Sequence, residues 1–341
     1  VNYLFDQSRR QPVPSQAGAT GFLFSVYNIL EQKWRIVWVC LTLVVFVSAC
    51  QRSPGGASVP RETREVTDEA GRKILVPNRV DRIVTLAPNL TEIVFAVGAG
   101  DRLVGNTTYC DYPEAAKQVA KVGDTLQPSI ERIIGLKPQI VLVSTASQLE
   151  TFAKQLDEQQ IAVYVTNPRT MDEIFRSMET LAELFRTSDV AAGVIEDLRR
   201  RAAAVEVATR SVKPVKVFYQ VSGQPLYTIG RDAYLTDVLK RAGGVSVTAD
   251  VPGAFPRFSD EAALAARPEA IILPSGDSMG SSYSTVAPAL KNCPAVAHGR
   301  VYKINGDYLS RPGPRLVEGL EEIARALHPE LASQFGEAWV H

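Results

Sequence analysis

Residues 187–212, TSDVAAGVIEDLRRRAAAVEVATRSV, constrain this chain more than any other stretch. Val190, Val194, Leu198, Ala202 and Val205 recur at steps of three and four, which sets them on one face of a helix. Asp189, Glu196, Arg199, Arg200 and Arg201 fill the opposite face, so the helix is predicted to be amphipathic. Ser188 is the expected N-cap, with Asp189 complementing the helix dipole behind it. Pro214 stops the helix, because it lacks an N–H and disfavours helical geometry at Lys213. A helix of about 24 residues is some 36 Å long. Short apolar strands alternate with helices on both sides of it, so the helix reads as a rigid strut between two lobes. The alternative is one more crossover helix within a single sheet.

The alternation implies parallel sheets covered on both faces, hence an α/β protein of two doubly wound lobes joined by one long helix. A hairpin is expected over residues 65–77, with its turn at 68–71. In the first lobe, residues 66–186, strands are predicted at 82–87, 103–104, 140–143 and 161–165. Helices follow from Asn89 or Thr91 to about 98, and at 130–136, 149–159 and 171–185. The strut occupies 187–212. The second lobe, 213–330, repeats the plan with strands at 215–220, 270–273 and 301–304 and helices at 233–241, 261–266 and 315–327.

Ahead of the lobes, residues 1–49 carry a basic flank (Lys33, Arg35) and a short apolar run over 36–47. They end in Val47-Ser48-Ala49 before Cys50. This is the pattern of a secretory signal, too short to span a membrane as a helix. Its last four residues resemble a bacterial lipobox, which makes Cys50 the lipidated first residue of the mature protein. Residues 50–65 then read as a flexible tether. The expected location is the outer face of the cytoplasmic membrane. Cys110 and Cys293 flank the strut in sequence; a bridge between them would lock the lobes together, so two free thiols are expected.

The 37 basic residues equal the 37 acidic ones, which gives no reason to expect nucleic acid as partner. No phosphate loop appears, and no Gly-x-Gly-x-x-Gly follows a strand. Gly276-Asp277-Ser278 could suggest a nucleophile, but His298, His328 and His341 are the only histidines and none adjoins an acid that would complete a triad. His328 sits at a helix end, where a cation suits the dipole. Three scattered histidines also speak against a protein-built metal site. A binding protein without a cofactor of its own is expected, not an enzyme.

One internal repeat stands out. Ser129-Ile-Glu131 with Pro138 matches Ser259-Asp-Glu261 with Pro268, each giving a capping Ser, an acid two residues on, a short helix, a basic residue, Pro and a buried strand. Local helix physics explains Ser and Glu singly. It does not explain an exposed acid in the same register of both lobes, which suits docking on a two-fold symmetric partner. Ligands of open α/β sheets lie beyond the carboxyl ends of the strands. The loops expected there are rich in aromatic and small polar residues, Tyr109, Tyr227, Phe255 and Tyr308 among them, which suits a large ligand with flat faces and a polar rim.

The segments Arg82-Ile-Val-Thr-Leu-Ala-Pro88-Asn-Leu-Thr-Glu92, Val104-Gly105 and Leu136-Lys137-Pro138 resemble those of ABC-importer substrate-binding proteins for iron chelates, haem and vitamin B12. Thr108-Tyr109-Cys110-Asp111-Tyr112-Pro113 is similar to the Tyr-x-Asp-Tyr-Pro of the vitamin B12-binding members. The resemblance runs from about residue 66 to 327 and implies a monomeric protein that carries a corrinoid to an ABC permease dimer in the inner membrane. It implies ligand contacts at Tyr109, Phe255, Asp307 and Arg311, to which the loops at the strand ends add Asp124, Thr125, Ser144, Tyr227 and Tyr308, and it implies docking onto permease arginines through Glu131 and Glu261. Thr125 and Ser144 stand where B12-binding members have tryptophans. A ferric siderophore or haem therefore stays open as the ligand, with Arg231, Arg257 and Arg311 as the cations that would favour it. An enzyme on the same fold is the alternative of another class.

Overall fold

The computed structural model describes residues 62–144, 149–276 and 285–334. The proposed signal, Cys50 and most of the tether lie outside these residues, as do 145–148 and 277–284. Strands β1 (Thr63–Thr67) and β2 (Lys73–Pro77) form the antiparallel hairpin. Asp68 closes its turn, accepting from the backbone N–H of Ala70 and Arg72 and pairing with the Arg72 guanidinium at 2.6 Å. The strand begins at Thr63, so residues 63–65 are sheet and not tether: Glu65 pairs across the ladder with Leu75.

The first lobe is a parallel sheet of β3 (Ile83–Thr85), β4 (Leu103–Gly105), β5 (Ile140–Ser144) and β6 (Ala162–Thr166), in the order β4-β3-β5-β6. Its helices are α1 (Pro88–Ala96), α2 (Ile130–Gly135), α3 (Leu149–Glu158) and α4 (Met171–Phe185). The strut is α5 (Ser188–Thr209). The second lobe has β7 (Val215–Gly223), β8 (Leu226–Thr228), β9 (Gly244–Ser246), β10 (Ala270–Ser275) and β11 (Val301–Asn305), ordered β11-β10-β7-β8 with β9 beside the start of β7. Helices α6 (Tyr234–Arg241), α7 (Asp260–Ala265), α8 (Pro294–Ala297), α9 (Gly306–Ser310) and α10 (Leu316–Leu327) complete it. Strand β8 runs antiparallel to β7, so this sheet is not purely parallel. Both β8 and β9 have three residues, too few for an alternating pattern to register in the sequence.

The strut differs from its sequence reading at both ends. It spans 22 residues, with Thr187 rather than Ser188 at the N-cap, and it ends at Thr209, five residues ahead of Pro214. Its buried line is Ala191, Ile195, Leu198, Ala202, Val205 and Thr209, while Val190 and Val194 are exposed. Alanine at 191 lets the helix lie close to α4, and the face rotates by one residue over its first two turns. The strut's charges are tied to the lobes rather than simply solvated. Arg199 pairs with Glu179 at 2.9 Å and lies 5.2 Å over the Phe175 ring, both on α4. Two residues on, Arg201 reaches the other lobe, bonding both oxygens of Glu321 on α10 at 2.9 and 2.8 Å.

One apolar core runs from α1 and α4 of the first lobe through Ile195, Leu198 and Ala202 of the strut to Leu235, Leu320 and Leu327 of the second. Smaller cores under the other face of each sheet centre on Val141 and Val143, and on Phe218 and Ile271. Each sheet is thus covered on both faces, as the apolar strands require. Behind the strut, Arg241 of α6 bonds Asp172 of α4 at 2.7 Å, and Asp237 accepts the backbone N–H of Met171 at 3.0 Å. His328 does more than suit a helix dipole. It is buried, and its Nε2 lies 2.9 Å from the Gly243 carbonyl oxygen, joining the end of α10 to the turn after α6.

Candidate functional site

At the strand carboxyl ends the lobes meet through charge. Glu92 stands on α1 among Leu90, Ile93 and Val94, and its side chain is 1% exposed. A buried carboxylate needs a paired cation, and Glu92 has two, both from the second lobe. Arg315 donates from Nε and Nη2 to its two oxygens at 2.9 and 2.6 Å. Arg311 donates from Nη1 at 3.0 Å. The same Nη1 reaches Asp111 at 2.7 Å, and Nη2 reaches Asp307 at 3.0 Å. Arg315 also lies 4.1 Å over the Tyr112 ring and 5.5 Å from the Tyr308 ring, which adds cation–π attraction. Beside this cluster the Asn89 amide donates to the Pro312 carbonyl at 3.4 Å.

Local chemistry holds each member. Asn305 caps α9 by accepting from the Asp307 N–H at 2.9 Å, which places Asp307 in the first turn and Arg311 one turn on. Burial by itself would lower the Arg311 and Arg315 pKa values, but their bonds to Asp111 and Glu92 raise both above the ordinary arginine range. Burial alone would push the Asp111 carboxyl up, yet the bond and charge from Arg311 hold it below its usual range. Asp111, Arg311 and Arg315 are therefore ionised at neutral pH.

The loop of residues 107–113 buries Thr107 and Cys110 and exposes the two residues after each. Cys110 is buried, its Sγ 3.1 Å from both the Thr91 and Thr107 hydroxyls. Thr91 is in turn 2.6 Å from Thr85 on β3, so the loop is anchored to α1 and the sheet. Lys121 secures it from behind with bonds to Asn106 Oδ1 and the Cys110 and Ala116 carbonyls. Tyr109, Asp111 and Tyr112 are left facing outward, Tyr109 at 60% exposure. Cys110 and Cys293 are both free and buried.

The other sequence candidates divide. Phe255 is 49% exposed on the segment beside β8, and Thr125, Ser144, Tyr227 and Tyr308 are half-buried. The Asp124 carboxylate is turned onto its own loop, accepting from the N–H of Leu126 and Gln127 at 2.8 and 2.6 Å. Arg311, expected as a free cation for the ligand, is instead held by three carboxylates. Arg231 and Arg257 are exposed. The sequence reading missed Glu92, Asp111, Tyr112 and Arg315. An acid within the apolar line of α1 was the available signal for Glu92, since such a residue needs a partner from elsewhere in the chain.

The two repeat acids sit in matching frames. Ser129 caps α2 by accepting from the Arg132 N–H at 3.3 Å, and Ser259 caps α7 by accepting from the Ala262 N–H at 3.1 Å. Lys137 and Arg267 both adopt left-handed backbone, φ +48° and +45°, before Pro138 and Pro268. Glu131 and Glu261 are exposed on the second helical residue of each. A concavity of about 570 Å³ adjoins Glu261, lined also by Gln224, Pro225, Arg257 and Pro288.

Two α/β lobes, bridged by one helix and clasped at the carboxyl ends of their strands, define a two-lobed ligand-binding protein. The chain belongs to the periplasmic binding protein family, whose model matches residues 83–308. It is 30% identical to the uncharacterized ABC transporter substrate-binding lipoprotein YvrC of Bacillus subtilis over 308 residues, 86% of this chain and 97% of that one. It is also 30% identical to the vitamin B12-binding protein of Vibrio cholerae over 251 residues, 74% of this chain and 90% of that one. The crystal structure of the periplasmic vitamin B12 binding protein BtuF of Vibrio cholerae superposes with a TM-score of 0.65 at 29% identity, covering 73% of this chain and 97% of that one. The chain is thus a substrate-binding protein of an ABC importer, as the members of its family are, and not an enzyme. Its partners are a permease and a small-molecule ligand.

Proposed function

We propose that this protein is a lipid-anchored lipoprotein that captures a corrinoid between its lobes and delivers it to the permease. The observation that carries the ligand is the loop of residues 107–113, which turns Tyr109 outward beside the inter-lobe cluster while Cys110 pins it down. Tyr109 and Phe255 offer exposed rings for the faces of a corrin, and Tyr227, Tyr308, Thr125 and Ser144 offer hydroxyls for its amide fringe. Asp307 stands on the first turn of α9 as an acceptor for that fringe. Asp124 acts one step back by shaping its loop, and Arg311 by holding Asp111 and Asp307. The similarity to vitamin B12-binding proteins over most of their length supports the same reading. Glu131 and Glu261 meet permease arginines, one acid per lobe, on a permease dimer that a single copy of this protein engages. Cys50 carries the lipid that keeps the protein at the outer face of the cytoplasmic membrane, and residues 1–49 are the signal removed in maturation. The lipoprotein name of the Bacillus relative supports that assignment.

The experiment is an absorption spectrum of the purified protein after mixing with cyanocobalamin, haem or a ferric siderophore and desalting. The corrinoid bands should stay with the protein. Retention of haem or the ferric chelate in their place would transfer the assignment to that ligand.

A further inference from the structure

The five charged groups at the lobe junction are not evenly presented. The side chains of Arg311 and Arg315 are 8% and 15% exposed, whereas those of Asp111 and Asp307 are 46% and 26% exposed. Glu92 draws both arginines inward from beneath, and three carboxylates against two guanidiniums leave one negative charge over. Lys121, behind the loop, spends its ammonium on Asn106 and two carbonyls. A ligand settling between the lobes therefore meets carboxylate oxygens first. Carboxylates only accept hydrogen bonds, so they recognise N–H donors and repel other carboxylates.

From this asymmetry we infer that Glu92 is a specificity-determining residue that never touches the ligand. By sequestering Arg311 and Arg315 it makes the cleft floor an acceptor surface, selective for ligands whose rim carries primary amides and against ligands whose rim carries carboxylates. Asp111 and Asp307 are the surface it creates. The inference rests on the corrinoid reading and deepens it: the fringe of a corrinoid is recognised as a set of N–H donors, not as acceptors for a free arginine. A chelate or macrocycle that sets peripheral carboxylates on Asp111 and Asp307 is disfavoured there by charge, whatever the exposed Arg231 and Arg257 contribute elsewhere.

The test uses cyanocobalamin and its monocarboxylates, in which one peripheral amide is hydrolysed and nothing else changes. The unmodified protein should bind cyanocobalamin about tenfold or more tighter than at least one monocarboxylate, with the gap shrinking at high salt. Asp111→Asn, a change at a half-exposed position, should narrow that gap severalfold while the protein still unfolds in a single cooperative transition. Glu92→Gln, nearly isosteric, should narrow it as well by releasing the arginines toward the cleft. If every monocarboxylate binds as tightly as cyanocobalamin, the inference fails while corrinoid capture stands. A gap that persists unchanged in both variants also overturns it. If no corrinoid binds, the corrinoid reading fails and takes the inference with it.

Discussion

Glu92 of the first lobe and Arg315 of the second face each other in a bidentate pair at 2.9 and 2.6 Å, 223 residues apart in sequence. With the strut and the continuous core behind it, this pair ties the lobes at both ends. Little change in lobe spacing is expected on ligand binding, because closure would have to break one tie or the other.

Glu92→Ala leaves two guanidiniums facing each other with one buried acceptor gone. Removing one partner of a buried ion pair typically costs about 3–5 kcal/mol. Urea unfolding should show a loss of that order for Glu92→Ala and a smaller one for Glu92→Gln, which keeps an acceptor. A variant as stable as the parent would mean that the lobes do not depend on the clasp.

Asp111 gives the clasp a pH signature. Its folded carboxyl is held below the unfolded value of about 3.9, so its contribution to stability is complete above that value. It is lost as pH falls through the lower, folded one. The difference in melting temperature between the parent and Asp111→Asn should be flat from about pH 5 to 8 and shrink below about pH 4. A difference that already fades near neutrality would contradict the pairing with Arg311.

Glu131→Ala and Glu261→Ala should each reduce uptake through the permease while leaving ligand affinity within about twofold, since exposed charges at a rim govern encounter and orientation. The defect should be measured in reconstituted transport at two salt concentrations. Normal transport by the double variant would reduce both acids to favourable residues at helix starts.

Cys50→Ala should move the protein from the membrane fraction to the soluble one, because a lipidated terminus is the anchor proposed. Fractionation followed by immunoblotting reads this directly. A variant that still sediments with membranes would point to the apolar run 36–47 as the anchor.

Much of this architecture was legible in the chain. Helix α4 was expected at its observed bounds, and the repeat of Ser129-Glu131-Pro138 in Ser259-Glu261-Pro268 foretold two short helices in matching frames. These features are local: caps, periods and prolines act within a turn or two. The strut's buried face was misread at Val190 and Val194 because a period fixes a stripe only to within a residue, and packing against α4 selected Ala191 and Ile195. The clasp was not legible, since nothing local links Glu92 to Arg315 or Asp111 to Arg311. Arg311 thus looked like a free cation, and only the fold reveals that its charge is already used.

Titration of the purified protein with cyanocobalamin by calorimetry measures corrinoid capture itself. One corrinoid should bind per chain at sub-micromolar concentration, with Tyr109→Ala and Phe255→Ala each weakening binding about tenfold to a hundredfold, as loss of an aromatic contact typically does. Absence of binding at micromolar concentration, with haem or a ferric siderophore binding tightly under the same conditions, would mean that the cleft is not built for a corrinoid.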